Sequence, residues 1–165
     1  MPALINPIVT QSLTVASAEQ KHPLNTQVMA DDGALYQYIQ ASESLSQYQV
    51  VAIYGDGTGR QMHTSIANAA GVLQARVVGF AQTSIASAYY GWVARSGQRL
   101  VFRVSDDCAA GAALFTTATA GELDDATISG CHLPGVQLTT TASLATAMTG
   151  AVATPAFVGW YSNPA

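Results

Sequence analysis

Along much of this chain, apolar and polar residues alternate in short runs that end in glycine-rich or acidic turns. Successive side chains on a strand point to opposite faces, so such alternation predicts strands with one buried face. The stretch 26–40, TQVMADDGALYQYIQ, predicts a hairpin turning at Asp32-Gly33. Its second arm sets Tyr36 and Tyr38 on one face and Leu35, Gln37 and Ile39 on the other. YQVVAIY (48–54) predicts a strand closed by the turn Gly55-Asp56-Gly57-Thr58-Gly59, and ARVVGFAQT (75–83) predicts another. YYGWVARSGQRLVFRV (89–104) predicts a second hairpin, with its turn at Arg95-Ser96-Gly97-Gln98. On its second arm Leu100, Phe102 and Val104 face one way, and Arg99, Val101 and Arg103 the other.

The C-terminal half continues the pattern. AALFTTATAGELDDA (112–126) predicts a strand, a glycine turn and a short strand ending in acids. GVQLTTT (135–141) and PAFVGWYS (155–162) predict two more strands. Three stretches are less regular. The serine-rich 41–49 predicts a loop, 61–73 a short helix or an irregular alanine-rich segment, and ASLATAM (142–148) a single helical turn. Abundant valine, threonine and aromatics favour pleated structure. Short strands about 8–12 residues apart indicate a mainly-β fold, a small sandwich or jelly-roll-like barrel.

Residues 1–25 break the pattern. Prolines at 2, 7 and 23 oppose a long helix, and Ile5, Ile8, Val9, Leu13 and Val15 keep no sustained period. They predict an extended apolar arm ahead of a β domain at 26–165. The arm is received by its own domain or by a neighbouring subunit; the alternative is a first strand of the core.

Composition narrows the function. Of the 165 residues, 10% are charged, against about 25% in ordinary soluble domains. Few charges keep copies apart, which suits a protein packed into an assembly. A net charge of −4 argues against a nucleic-acid binder, whose basic footprint must displace counterions from phosphate. No run approaches the roughly 20 apolar residues of a membrane-spanning helix, and the first residues lack the charged start of a signal peptide, so the expected place of synthesis is a cytoplasm. Cys108 and Cys131 are too widely spaced for a zinc site and read as free thiols, the alternative being a bridge if the fold brings them face to face.

Candidate chemistry is sparse. His22, His63 and His132 are scattered, and there is no G-x-S-x-G elbow. The run at 55–59 lacks the lysine of a phosphate loop and the alternating acids of a calcium loop, so it reads as a turn. The pairs Asp31-Asp32, Asp106-Asp107 and Asp124-Asp125 sit beside glycines or at strand ends and read as solvated turn residues, with a cation site or interface salt bridges as the alternative. No catalytic, cofactor or metal residues are assigned. Three of the six basic residues, Arg95, Arg99 and Arg103, share the 89–104 ribbon with Tyr89, Tyr90 and Trp92. Tyrosine, tryptophan and arginine are the usual anchors of protein interfaces. The competing explanations are an edge hairpin protected by arginines and a single-strand nucleic-acid ribbon. The expected interface set is Ile5, Ile8, Val9, Leu13, Tyr90, Trp92, Arg95, Arg99 and Arg103.

The order of NPIVTQ, HPLNTQVMADDGALYQYIQA, YYGWVARSG, ALFTTATAGELDDA and PAFVGWYS resembles that of capsid decoration, or cement, proteins of tailed bacteriophages. The likeness covers both ends and the central ribbon and leaves out roughly residues 43–73. It implies a β-rich dimer or trimer, without catalytic residues or cofactors, on the outer surface of the virion. Its partners would be the major capsid protein and its own copies, with no nucleic acid and no membrane. A receptor- or glycan-binding module of a fibre or spike is the alternative, with Tyr90, Trp92 and Trp160 stacking on sugar rings.

Overall fold

A computed structural model describes residues 12–67, 77–105, 107–126, 132–142 and 146–152. The expected interface residues Ile5, Ile8 and Val9, the stretch 155–162 with Trp160, and Cys131 lie outside the described residues.

The mainly-β fold expected from the alternation is what forms, and it takes the barrel form. Five strands close into a ring: β2 (Leu35–Ala41), β4 (Thr58–Gln61), β3 (Val50–Ile53), β5 (Val77–Phe80) and β6 (Tyr90–Val104), which returns to β2. The β2–β4 pairing is parallel, and the other four contacts of the ring are antiparallel. β1 (Gln27–Met29) adds to β2 through the expected hairpin. There Gly33 takes φ +79° and the Asp32 carboxylate accepts the Ala34 N–H at 2.9 Å, which fixes the turn.

A five-strand barrel has a narrow interior. Ile39, Ala41, Val51, Ile53 and Val93 fill it from the strands, and Leu45 and Ile85 come in from loops held together by paired backbone bonds. Gly59 and Gly79 face this cluster. A Cβ at Gly79 would lie 2.9 Å from both Ile53 Cδ1 and Val93 Cγ2, so the strands approach only because these residues lack side chains. The opposite strand faces carry a larger cluster, including Tyr38, Val50, Phe80 and Trp92.

That larger cluster is covered by a second layer built on the far half of β6. β10 (Thr146–Val152) pairs antiparallel with β6, and β9 (Val136–Leu138) pairs with β10. On the other edge of β6, β8 (Leu123–Asp124) pairs in parallel and carries β7 (Phe115–Thr116), as the glycine turn at 121 leads one to expect. Leu100, Phe102 and Val104 are buried in this layer while Arg99 is exposed, in the alternation read from the sequence.

Three local expectations are corrected. The ribbon 89–104 is not a hairpin: from Tyr90 it is one continuous fifteen-residue strand. Gly97 makes no turn; a Cβ there would stand 3.0 Å from that of Ala34, so glycine lets the β1–β2 turn lie against the strand as it passes from one sheet to the other. The expected helical turn at 142–148 is strand from Thr146, because the far half of β6 supplies an open ladder for it. The run at 55–59 is a turn only as far as Gly57 (φ +85°); Thr58 and Gly59 begin β4. Of the stretch 61–73, Gln61 ends β4, Thr64–Ala67 forms the short helix α1, and 68–73 lie outside the described residues.

Candidate protein-interaction surface

The six described members of the expected interface set do not form one surface. Trp92 is completely buried on β6, its ring 4.9 Å from that of Tyr38 and 5.2 Å from that of His22. Trp92 Nε1 and His22 Nε2 are both buried without a hydrogen-bond partner. Tyr90 is half-buried, stacked on Tyr38 at 6.3 Å, and its hydroxyl accepts from Gln40 Nε2 at 3.2 Å. Leu13 is half-buried against the larger cluster. Ser17 exchanges two backbone bonds with Tyr90, and the Lys21 N–H donates to the Tyr38 hydroxyl at 3.0 Å. So the described part of the expected arm, 12–25, lies on its own barrel.

Arg95 also faces inward. The β2–β6 register jumps from Tyr36↔Ala94 to Leu35↔Ser96, leaving Arg95 as the extra residue of a bulge. Its Nε donates to the Val78 carbonyl at 3.0 Å and its Nη1 to Gln37 Oε1. Gln37 passes the network on to Asn25 Oδ1 at 2.8 Å. Arg95 is 3% exposed, and burial pulls its pKa down to about 10. It is a buried cation held by an amide and a carbonyl; a carboxylate partner is absent among the described residues. The interface set therefore loses Trp92 and Arg95, whose side chains a partner cannot reach. A tryptophan at 92 is equally closed to a sugar ring.

Arg99 and Arg103 remain. Lys21 pairs with Glu19 and Arg60 with Glu43; Arg99, exposed, and Arg103, half-buried, are the two cations of this face without a carboxylate partner among the described residues. They lie on one face of β6, four residues and about 13 Å apart. That half of the strand is fixed on both edges. β10 pairs along one, and on the other the Gln82 side chain bonds the Val101 N–H and C=O while the Arg103 N–H donates to the Tyr48 carbonyl at 2.8 Å.

Two features were not foreseen. Asp32, Ala34, Gln98, Arg99 and Leu100 line a cleft of about 250 Å³ between the β1–β2 turn and β6. Burial, then the Asp32 carboxylate, raises the Tyr36 phenol above its ordinary range. Second, the acids of 124–125 meet Cys108, with ligand atoms of all three within 4.8 Å of one another. Burial is the main reason the Cys108 thiol is pushed up, which favours the neutral form. The carboxylates already serve the loop: Asp125 Oδ2 accepts the Ala109 N–H at 2.8 Å and Asp124 Oδ1 that of Ala126 at 3.1 Å. Sixteen residues separate Cys108 from Asp124, so no local spacing signals the group.

No protein family matches the chain, and a search of curated proteins likewise finds no significant match.

Proposed function

We propose that the protein is a capsid decoration protein of a tailed bacteriophage, which binds the outer surface of the head and reinforces its lattice. Its partners are the major capsid protein and its own copies. The observation that carries this reading is the outward face of β6, where the two unneutralised arginines of a sparsely charged chain stand on a strand braced along both edges. A braced strand presents its side chains with little ordering entropy left to lose on binding. An oligomer touching several shell subunits gains avidity from contacts that are individually small. The resemblance of the segment order to that of decoration proteins is what suggests the partner class.

The test is cosedimentation of purified protein with expanded heads that lack it. Saturable, stoichiometric binding that weakens in Arg103→Ala is expected. Protein that stays in the supernatant at every ratio refutes the proposal.

A further inference from the structure

The cleft between the β1–β2 turn and β6 has opposite charges on its two walls. Asp32 and Arg99 are both exposed, both line the cleft, and neither is in an ion pair among the described residues. One Asp32 oxygen is engaged by the Ala34 N–H, which holds the carboxylate at the turn. A patch with one acid and one base that do not reach each other is self-complementary. Turned on a two-fold axis, each charge meets its opposite on the other copy, which is the requirement of an isologous contact.

The surroundings suit such a contact. Met29, which ends β1 just before this turn, is 75% exposed. Val28 and Tyr36 face each other across β1 and β2, and Tyr38 and Ala34 bond the flanking residues Thr26 and Ala30. By the alternation of an antiparallel ladder, the backbone groups of Gln27 and Met29 point to the outer edge. Neither outward position carries the charge or proline that usually guards an edge.

We propose that the protein forms a two-fold dimer through this cleft, with reciprocal Arg99–Asp32 ion pairs across the axis and Met29 beside them. The inference is read in solution and does not depend on the capsid reading; Arg103 lies two repeats of the pleat further along and stays available to another partner.

The test is a charge swap followed by mass measurement in solution, with far-UV circular dichroism to show that these exposed variants fold. Wild type is expected as a dimer that dissociates as salt is raised. Asp32→Lys and Arg99→Glu, each alone, place like charges across the axis and are expected as monomers. An equimolar mixture of the two restores both attractive pairs, and so does the double variant, so each is expected to recover the dimer mass. A merely structural role for either residue would not produce recovery on mixing. A monomeric or trimeric wild type, or a mixture that stays monomeric, overturns the proposal.

Discussion

The packing of the barrel interior predicts the sign of a single methyl addition at Gly59. Replacing a strand glycine by alanine normally stabilises a protein by about 0.5–1 kcal/mol, because the unfolded chain has less freedom to lose. Gly59 does not have a positive φ, so this gain is open to it. Its Cβ, however, would overlap Ile39 Cδ1 and stand 3.1 Å from Val51 Cγ1 inside the closed ring. Overpacking of this kind costs about 1–3 kcal/mol, so Gly59→Ala should destabilise by about 1–2 kcal/mol net. Ile39→Val removes the overlapped methyl and alone costs about 0.5–1.5 kcal/mol. If the overlap is the cause, the double variant is no less stable than Ile39→Val, and the cycle gives a coupling of about 1–2 kcal/mol. Urea unfolding followed by tryptophan fluorescence reads all four proteins. A Gly59→Ala variant more stable than wild type would mean that Ile39 swings aside into free space. Additive losses would mean that the two side chains never meet. Either result refutes a filled interior.

The burial of Trp92 and the exposure of Arg99 separate core from surface: Trp92→Ala should lose about 3–5 kcal/mol, Arg99→Ala less than about 0.5 kcal/mol, in the same unfolding assay. Asp56 is held below its ordinary value of 3.8 by the backbone N–H and then the hydroxyl of Thr58. Its contribution is therefore present above that value and is lost as pH falls through the lower folded pKa; thermal melts of Asp56→Asn should show less acid sensitivity over this window than wild type. Deleting 1–25 should lower the melting temperature by several degrees more than deleting 1–11 alone, because Ser17, Lys21 and His22 are tied to Tyr90, Tyr38 and Trp92. Equal melting temperatures for the two truncations would show that the contacts of 12–25 contribute nothing.

What could be read from the sequence was what neighbouring residues decide. The Asp32-Gly33 turn was legible because a carboxylate and a positive-φ glycine act within four residues. The faces of Leu100, Phe102 and Val104 were legible because alternation is a property of one strand. The unbroken run of β6 was not, since a glycine permits a turn and a close approach alike, and only Ala34, more than sixty residues earlier, decides which. The ribbon misled for a related reason. Tryptophan and arginine anchor interfaces between proteins, and they serve equally well inside one: Trp92 fills the space between Tyr38 and His22, and Arg95 bridges Gln37 and the Val78 carbonyl. Composition cannot tell an interface from a seam within the fold, because both are desolvated surfaces meeting.

That equivalence explains how one strand serves two purposes. Over its first half β6 is a stave of the barrel, and its bulged residue points inward, where it has an amide and a carbonyl for partners. Past Gly97 the same backbone leaves the ring and pairs with β10, so Arg99 and Arg103 face outward, Arg99 exposed and Arg103 half-buried, without a carboxylate or amide partner among the described residues. The difference between Arg95 and Arg99 is four residues of chain and a change of sheet. A buried cation without a counter-charge opposes folding, while an exposed one is nearly neutral to stability and open to a partner. The outward positions after the switch, 99 and 103, can therefore be altered for binding with little effect on the fold, whereas Trp92 and Arg95 before it cannot. It follows that variation which retunes partners while keeping the barrel should accumulate at 99 and 103 and spare 92 and 95.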